Sequence, residues 1–338
     1  MERFISVVIP SYNRADFIVL CLAAISKSNY SNFEIIVVDD SSNNDTVKVI
    51  KECRYKCKLI RPEENKGAAT ARNIGAEVAK GEILLFTDSD VCLKEDTLAL
   101  INQTFDKVPE ASAVVGLPDK YCVFSNLTSQ HFNLRVHHNY TKLPEFITTL
   151  YTTISAVKRE AFFDAKGFNL NLKETAVEDP ELGLRLSEKG YKIYFNKNIS
   201  VIHHKHITFL ELLKNDAKRT KARAKLMVER KMFKSTVKDK RYLTTPFSQI
   251  VSALLAPTIL LAYIGSFFDS NFTLFTGMLL TYFWLLNYEY LRFVRKEKGN
   301  WLTFQLYWLL LVDMFVVGIT LIWNLPKYVL RSKIKCIL

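Results

Sequence analysis

The chain has 338 residues, 49% of them hydrophobic, and its 46 Lys+Arg against 34 Asp+Glu give a formal charge of +12. That content excludes a disordered tail, and six cysteines spread over such a length exclude a small disulfide scaffold. At roughly 100 to 200 residues per domain, the length predicts two units, or one large α/β unit with an appendage.

Phe4 to Pro10 (FISVVIP) is a short β-branched run closed by proline, the pattern of a buried parallel strand. Ala15 to Lys27 follows as a helix, with Phe17, Leu20, Cys21, Ala24 and Ile25 at helical spacing. Phe33 to Val38 is a second strand, ended by Asp39, Asp40, Ser41 and Ser42, which supply turn and cap chemistry. A helix over Thr46 to Cys53, a strand at Lys58 to Arg61, an Ala-rich helix from Gly67 to Ala79 and a strand from Glu82 to Thr87 continue the alternation. Strands alternating with helices predict a doubly wound, Rossmann-like α/β sheet. The opening MERFISVVIPSYNR has no charged region followed by a long apolar stretch, so no signal peptide is expected and residues 1 to about 205 are expected in the cytosol.

Ligands of such sheets bind at the carboxyl ends of the strands. Polar residues gather there: Ser11, Tyr12 and Asn13 after the first strand, Asp39 and Asp40 after the second, Asp88, Ser89 and Asp90 after the fourth. Neither GxGxxG nor GxxxxGK[ST] is present, which argues against a dinucleotide oxidoreductase and a P-loop NTPase. Two carboxylates two residues apart, Asp88 and Asp90, can hold Mg²⁺ or Mn²⁺ against a diphosphate. Alone, Asp-x-Asp in a turn is more often just solvated. A second carboxylate pair, Glu178-Asp179, precedes an apparent helix carrying Leu182, Leu184 and Leu186, where acidic residues commonly serve as caps.

Four segments occur in order: SVVIPSYNR at 6–14, FEIIVVDDSSNNDT at 33–46, NKGAATARNIGAEVAKGEILLFTDSDV at 65–91 and VEDPELGLRLSEKGYKIYF at 177–195. Together they resemble the family 2 inverting glycosyltransferases of the GT-A fold, over roughly residues 4 to 210. The resemblance implies a doubly wound mixed sheet that binds a nucleotide-diphosphate sugar as donor. Pro10 and Tyr12 would flank the base, and Asp40, or Asp39 beside it, would accept a hydrogen bond from it. Arg72 would lie near the base or diphosphate, unless it is a helix-surface salt bridge. Asp88 would sit on the ribose or metal side and Asp90 would coordinate a divalent metal, Mn²⁺ or Mg²⁺. Asp179, with Glu178 beside it, falls at the family's catalytic base position. In SVIHHKH the resemblance favours His203 as a third metal ligand, with His204 next.

Between Lys205 and Arg241 thirteen basic residues face four acidic ones, a net +9, interleaved with Phe209, Leu210, Leu213, Leu226 and Met227. A nucleic-acid patch is one reading of such charge. Directly ahead of apolar segments it reads better as an interfacial helix on an anionic cytoplasmic leaflet, with no nucleic acid. Phe247 to Phe268, Phe272 to Leu291 and Leu302 to Leu325 are each about the 20 residues that cross a hydrocarbon core. Three spans conflict with the positive-inside rule at Lys327, Arg331, Lys333 and Lys335, so the alternative is two spans and a re-entrant loop bent at Asp313 and Gly318. The expected domains are 1–205, glycosyltransferase (1–105 nucleotide-sugar half, 106–205 acceptor half); 206–245, a basic amphipathic segment; 246–325, two or three membrane segments; and 326–338, a basic tail. The expected function is a multi-pass membrane protein with a cytoplasmic catalytic domain that moves a sugar, with inversion, to a lipid-linked acceptor for envelope glycolipid or polysaccharide. The alternatives are a polyprenyl-phosphate glycosyltransferase and a processive synthase. The second lacks support in RTKAR at 219–223, which has no Trp for a QxxRW-like signature.

Overall fold

The computed structural model describes residues 2–172, 177–232 and 241–335. Two compact units emerge. The first takes 2–124, 140–172 and 178–205, and the second takes 125–139, 177, 206–232 and 241–335.

The first unit runs β1 (Ile5–Ser11), α1 (Ala15–Ser26), β2 (Phe33–Asp39), α2 (Thr46–Glu52), β3 (Lys58–Ile60), α3 (Ala68–Val78), β4 (Ile83–Phe86), β5 (Val91–Cys92), α4 (Thr97–Lys107) and β6 (Ala111–Pro118). After α5 (Leu127–Thr141), most of which belongs to the second unit, it resumes with β7 (Phe146–Ile147), β8 (Ser155–Lys158), α6 (Arg159–Asp164), α7 (Glu178–Glu188) and β9 (Lys192–His203). The sheet order is β3-β2-β1-β4-β8-β6-β9-β5, with β7 on β9. β1 to β4 are parallel, β8 is antiparallel to β4 and β6, and β5 is antiparallel to β9. All seven residues of β1 are buried, as a strand covered on both faces requires. Chain order reverses about β1, whose neighbours are β2 and β4, so the carboxyl ends of these three strands open one crevice.

Two glycines set how closely helices approach this crevice. A Cβ on Gly75 would collide with Val8 and press on Val38, so α3 lies directly on β1 and β2 only because that position has no side chain. A Cβ on Gly183 would likewise meet the backbone of Thr149 and Leu150, beneath α7.

The second unit holds most of α5, then α8 (Phe209–Glu229), the short hairpin β10 (Arg241–Tyr242) and β11 (Thr245–Pro246), and three helices, α9 (Phe247–Gly265), α10 (Asn271–Leu286) and α11 (Tyr288–Lys335). The expected acceptor half thus gives up residues 125–139 to this unit. α8 begins with a capping box between Thr208 and Glu211. Residues 233–240 of the expected basic segment and 336–338 of the expected tail lie outside the described residues.

Two of these helices, α9 and α11, are long and apolar enough to cross a membrane. The second expected span is instead the 16-residue α10, because the chain leaves helical geometry at Asn287 before α11 starts. The bend at Asp313 and Gly318, which the re-entrant alternative to three spans required, is absent. α11 breaks at Gly299, whose φ of +83° suits glycine, and runs on through both residues. Gly318 serves packing, since a Cβ there would overlap the carbonyl of Ala253 on α9.

Asp313 is fully buried, and α5 supplies its cation, which it shares with Asp216 of α8. Arg135 donates one hydrogen bond to Asp313 and another to Asp216, and His131 Nε2 lies 3.4 Å from Asp313. Burial opposes the charge on Arg135, but the two carboxylates hold its pKa above the ordinary arginine value. Burial keeps His131 below its ordinary value and so neutral. Removing one partner from such a cluster leaves a buried charge uncompensated. Arg135→Met is expected to destabilise the detergent-solubilised protein by about 3 to 5 kcal/mol, read as a lower thermal midpoint, and adding Asp313→Asn should recover part of the loss.

Candidate active site

The crevice is built from chain ends. β4 delivers Asp88 and Asp90 just past its last residue. β5 then pairs with the end of β9, matching Val91 with His203, and His204 N donates to the Asp90 carbonyl at 2.7 Å. This short ladder fixes His203 one residue from Asp90 across the sheet, with Nε2 3.2 Å from Asp90 Oδ1. Ligand atoms of Asp88, Asp90 and His203 all lie within 4.8 Å of one another. The adjacent His204 is outside this group; its ring meets Phe17 at 6.2 Å, and burial pushes its pKa down.

Asp90 is 6% exposed and ionised. Burial works against its charge, but His203, then Lys205 at 3.8 Å and Arg14 at 4.0 Å, outweigh it and hold the carboxyl well below the usual range. Two carboxylates and an imidazole, one carboxylate buried and pre-ionised, form a donor set that fits Mn²⁺ or Mg²⁺.

Arg72 reaches the site from the first turns of α3, where Gly75 brings the helix onto the sheet. It is 4% exposed, donates to Asp88 at 2.8 Å, lies 3.5 Å from Glu178 and packs on the Phe168 ring. Its Nε and NH1 are buried without a hydrogen-bond partner among the described residues. The helix-surface reading of Arg72 is therefore set aside.

Glu178 and Asp179 form the first turn of α7 rather than preceding it. Gly183, one turn further on, seats α7 against Thr149 and Leu150, and Asp179 accepts a hydrogen bond from Thr152 N at 3.3 Å. Loss of solvent, and next the neighbouring Glu178 charge, push the Asp179 carboxyl up to about 7 despite Arg72. A carboxyl poised there is matched to proton transfer near neutral pH.

The carboxylates after β2 hold turns. Asp40 accepts from Lys66 N at 2.9 Å and Gly67 N at 2.7 Å, tying the loop before α3 to β2. Asp39 accepts from Ser42 N and Oγ and lies 3.6 Å from Arg61. Each oxygen keeps lone-pair capacity for a further donor. Pro10 is buried in β1 opposite Val38, and Tyr12, just past the strand, is 45% exposed.

Several residues escaped the sequence reading. Arg14 closes the run SVVIPSYNR, and Lys205 stands two residues after His203. Gly75 and Gly183 gave no signal of their own, because their importance lies in backbones distant along the chain.

Residues 6–164 match the profile of the family described as Glycosyl transferase family 2. Glycosyltransferase GlyG of Streptococcus pneumoniae serotype 4 is 38% identical over 119 residues, 34% of this chain and 39% of that protein. The UDP-Glc:alpha-D-GlcNAc-diphosphoundecaprenol beta-1,3-glucosyltransferase WfgD of Escherichia coli is 39% identical over 90 residues, 26% of this chain and 36% of that protein. The chain thus spans less than half the length of these relatives. Among solved structures, the mannosyltransferase PcManGT from Pyrobaculum calidifontis, in complex with GDP-Man and Mn²⁺, shares the fold with a TM-score of 0.57 at 16% identity, over 96% of this chain and 88% of that one.

Two outcomes follow from the geometry. His203→Ala is expected to weaken Mn²⁺ binding by about tenfold or more, measured by electron paramagnetic resonance, while His204→Ala leaves it nearly unchanged. Unfolded, Asp179 ionises near 3.8; folded, near 7. The folded state therefore holds the extra proton in between, and stability falls as pH rises through that window. Asp179→Asn should raise the thermal midpoint by a few degrees at about pH 7.5, with the gain closing as the pH is lowered to about 4.

Proposed function

From a chain that carries a family 2 glycosyltransferase domain of the GT-A fold, we propose a membrane-associated enzyme that moves a sugar from a nucleotide-diphosphate sugar to a lipid-linked acceptor, with inversion, in envelope glycolipid or polysaccharide synthesis. The observation that carries this reading is Arg72, whose guanidinium joins Asp88 on one side to Glu178, next to Asp179, on the other. It holds the donor-side carboxylates and the base within one crevice.

In the proposed reaction the acceptor hydroxyl donates its hydrogen bond to Asp179. Its oxygen attacks the anomeric carbon from the face opposite the nucleotide. The bond from that carbon to the diphosphate oxygen breaks, its electron pair leaves with the nucleoside diphosphate, and the acceptor proton ends on Asp179. One displacement inverts the centre. Asp88, Asp90 and His203 would hold a divalent ion, which when bound supplies positive charge to the departing diphosphate. Arg72, with buried N–H groups lacking partners, adds donors for the same oxygens. Pro10, Tyr12, Asp39 and Asp40 line the carboxyl ends of β1 and β2, a fitting place for the base.

The raised pKa of Asp179 favours a hydroxyl acceptor over polyprenyl phosphate, which is already ionised and needs no base. Membrane association is supported by large apolar side chains left bare on the second unit. Leu261, Phe267, Phe268, Trp301 and Trp323 are each more than two-thirds exposed, a surface suited to lipid and costly in water. On α8, exposed Lys214, Lys218 and Lys221 share one stripe with Leu210, the pattern of a helix lying on an anionic leaflet. A lipid-linked acceptor is also what the printed name of WfgD describes for that relative.

Purified protein in detergent, given lipid extract, Mn²⁺ and radiolabelled UDP-, GDP- and dTDP-sugars, is expected to yield a labelled, organic-extractable product. Label confined to water-soluble products would overturn the lipid reading. Asp179→Asn should lower turnover by about a hundredfold or more; retention of most of the rate would point to the phosphate acceptor instead.

A further inference from the structure

The crevice holds more hydrogen-bond donors than its own residues use. Lys205 follows His203 by two residues, just past the end of β9, and both side chains approach Asp90 while the His204 ring between them meets Phe17. His203 approaches Oδ1 of Asp90 and Lys205 approaches Oδ2. The Lys205 side chain is 26% exposed, and its ammonium, 3.8 Å from Asp90 Oδ2, makes an ion pair but no hydrogen bond among the described residues. By contrast, Lys94 in the same unit donates to both Asp119 and Ser200. Arg14 is 4.0 Å from the same Oδ2, and Arg72 has two buried N–H sites without acceptors.

Three fixed cations thus surround Asp88 and Asp90, with donors to spare. Once a divalent ion neutralises the two carboxylates, that surplus suits a ligand rich in anionic oxygens and poor in protons. Resting on the nucleotide-sugar reading above, we propose that Lys205 is a diphosphate-binding residue of the donor site. It is a protein-borne cation acting on the leaving group beside the divalent ion. On this account its contact with Asp90 is the resting arrangement, and its N–H groups turn to phosphate oxygen when the donor enters.

Isothermal titration of the full-length protein with UDP, GDP and dTDP, with their monophosphates UMP, GMP and dTMP, all in Mn²⁺, and with Mn²⁺ alone, tests this. Lys205→Met keeps the aliphatic stem and removes the charge. It is expected to weaken the diphosphate that wild type binds by about tenfold, weaken its monophosphate much less, and leave Mn²⁺ affinity equal or tighter. Lys205→Arg is expected to restore most of the diphosphate affinity, which separates a charge effect from a folding defect. Unchanged diphosphate binding in Lys205→Met, or equal losses for diphosphate and monophosphate, would overturn the Lys205 assignment alone. Wild type that binds none of UDP, GDP and dTDP would overturn the donor reading together with it.

Discussion

Asp90 is a carboxylate inside a protein, and everything in the crevice depends on its staying ionised there. Desolvation alone would protonate it. What holds it ionised comes from the chain's most distant part of the same unit, the His203 imidazole beside Oδ1 and the Lys205 ammonium, and from Arg14 on the turn after β1. What delivers the first two is a ladder two residues long, β5 on β9, with the His204 amide clamped to the Asp90 carbonyl. Few backbone bonds are involved, yet they decide which imidazole reaches Asp90, because side chains alternate along an extended chain and a slip by one residue would present His204 in its place.

The same economy governs the opposite wall. Arg72 and Asp179 both stand on helices held unusually close to what lies beneath them, and in each case a glycine three or four residues further on removes the side chain that would force the helix away. Close approach has an electrostatic consequence. It shuts Asp179 away from water and beside Glu178, raising its pKa toward neutrality, while Arg72 limits the rise and links the pair to Asp88. One guanidinium therefore has two effects: it keeps Asp179 from becoming too reluctant to ionise, and in the proposed reaction it would share in the positive charge available to a diphosphate.

The fold was legible where physics is local. β-branched runs ending in Pro or Asp marked β1 and β2 within a residue, and the order of polar clusters along the chain marked the carboxyl edge of the sheet. The choice between His203 and His204 drew on the run SVIHHKH and the family resemblance; the β5 register places His203 in the acidic group. Less legible was anything set by partners far apart in sequence. The reading of 272–291 as one span missed Asn287, whose side chain donates to Ser252 Oγ of α9 while the helix ends around it. Apolar composition continues across that point, so hydropathy has no means of detecting the interruption.

Asp313 shows the same limit more sharply. In the sequence it is a charge in the middle of an apolar stretch, and a bend toward water is the natural way to relieve it. The alternative, a cation arriving from elsewhere, cannot be read from the stretch itself, because Arg135 is 178 residues away. The structure takes that second route, and so has no need of the bend: the helix stays intact and Gly318 is free to serve close packing against Ala253. α5, inserted in the chain between two strands of the first unit, is thus bound to the second by charge. A buried cluster of one arginine and two aspartates contributes little stability in itself, since desolvation offsets most of the attraction. Its effect is selective: alternative packings of α8 and α11 that leave Arg135 unpaired carry the full cost of an isolated buried charge, so the cluster discriminates between arrangements that apolar contacts alone would leave close in energy.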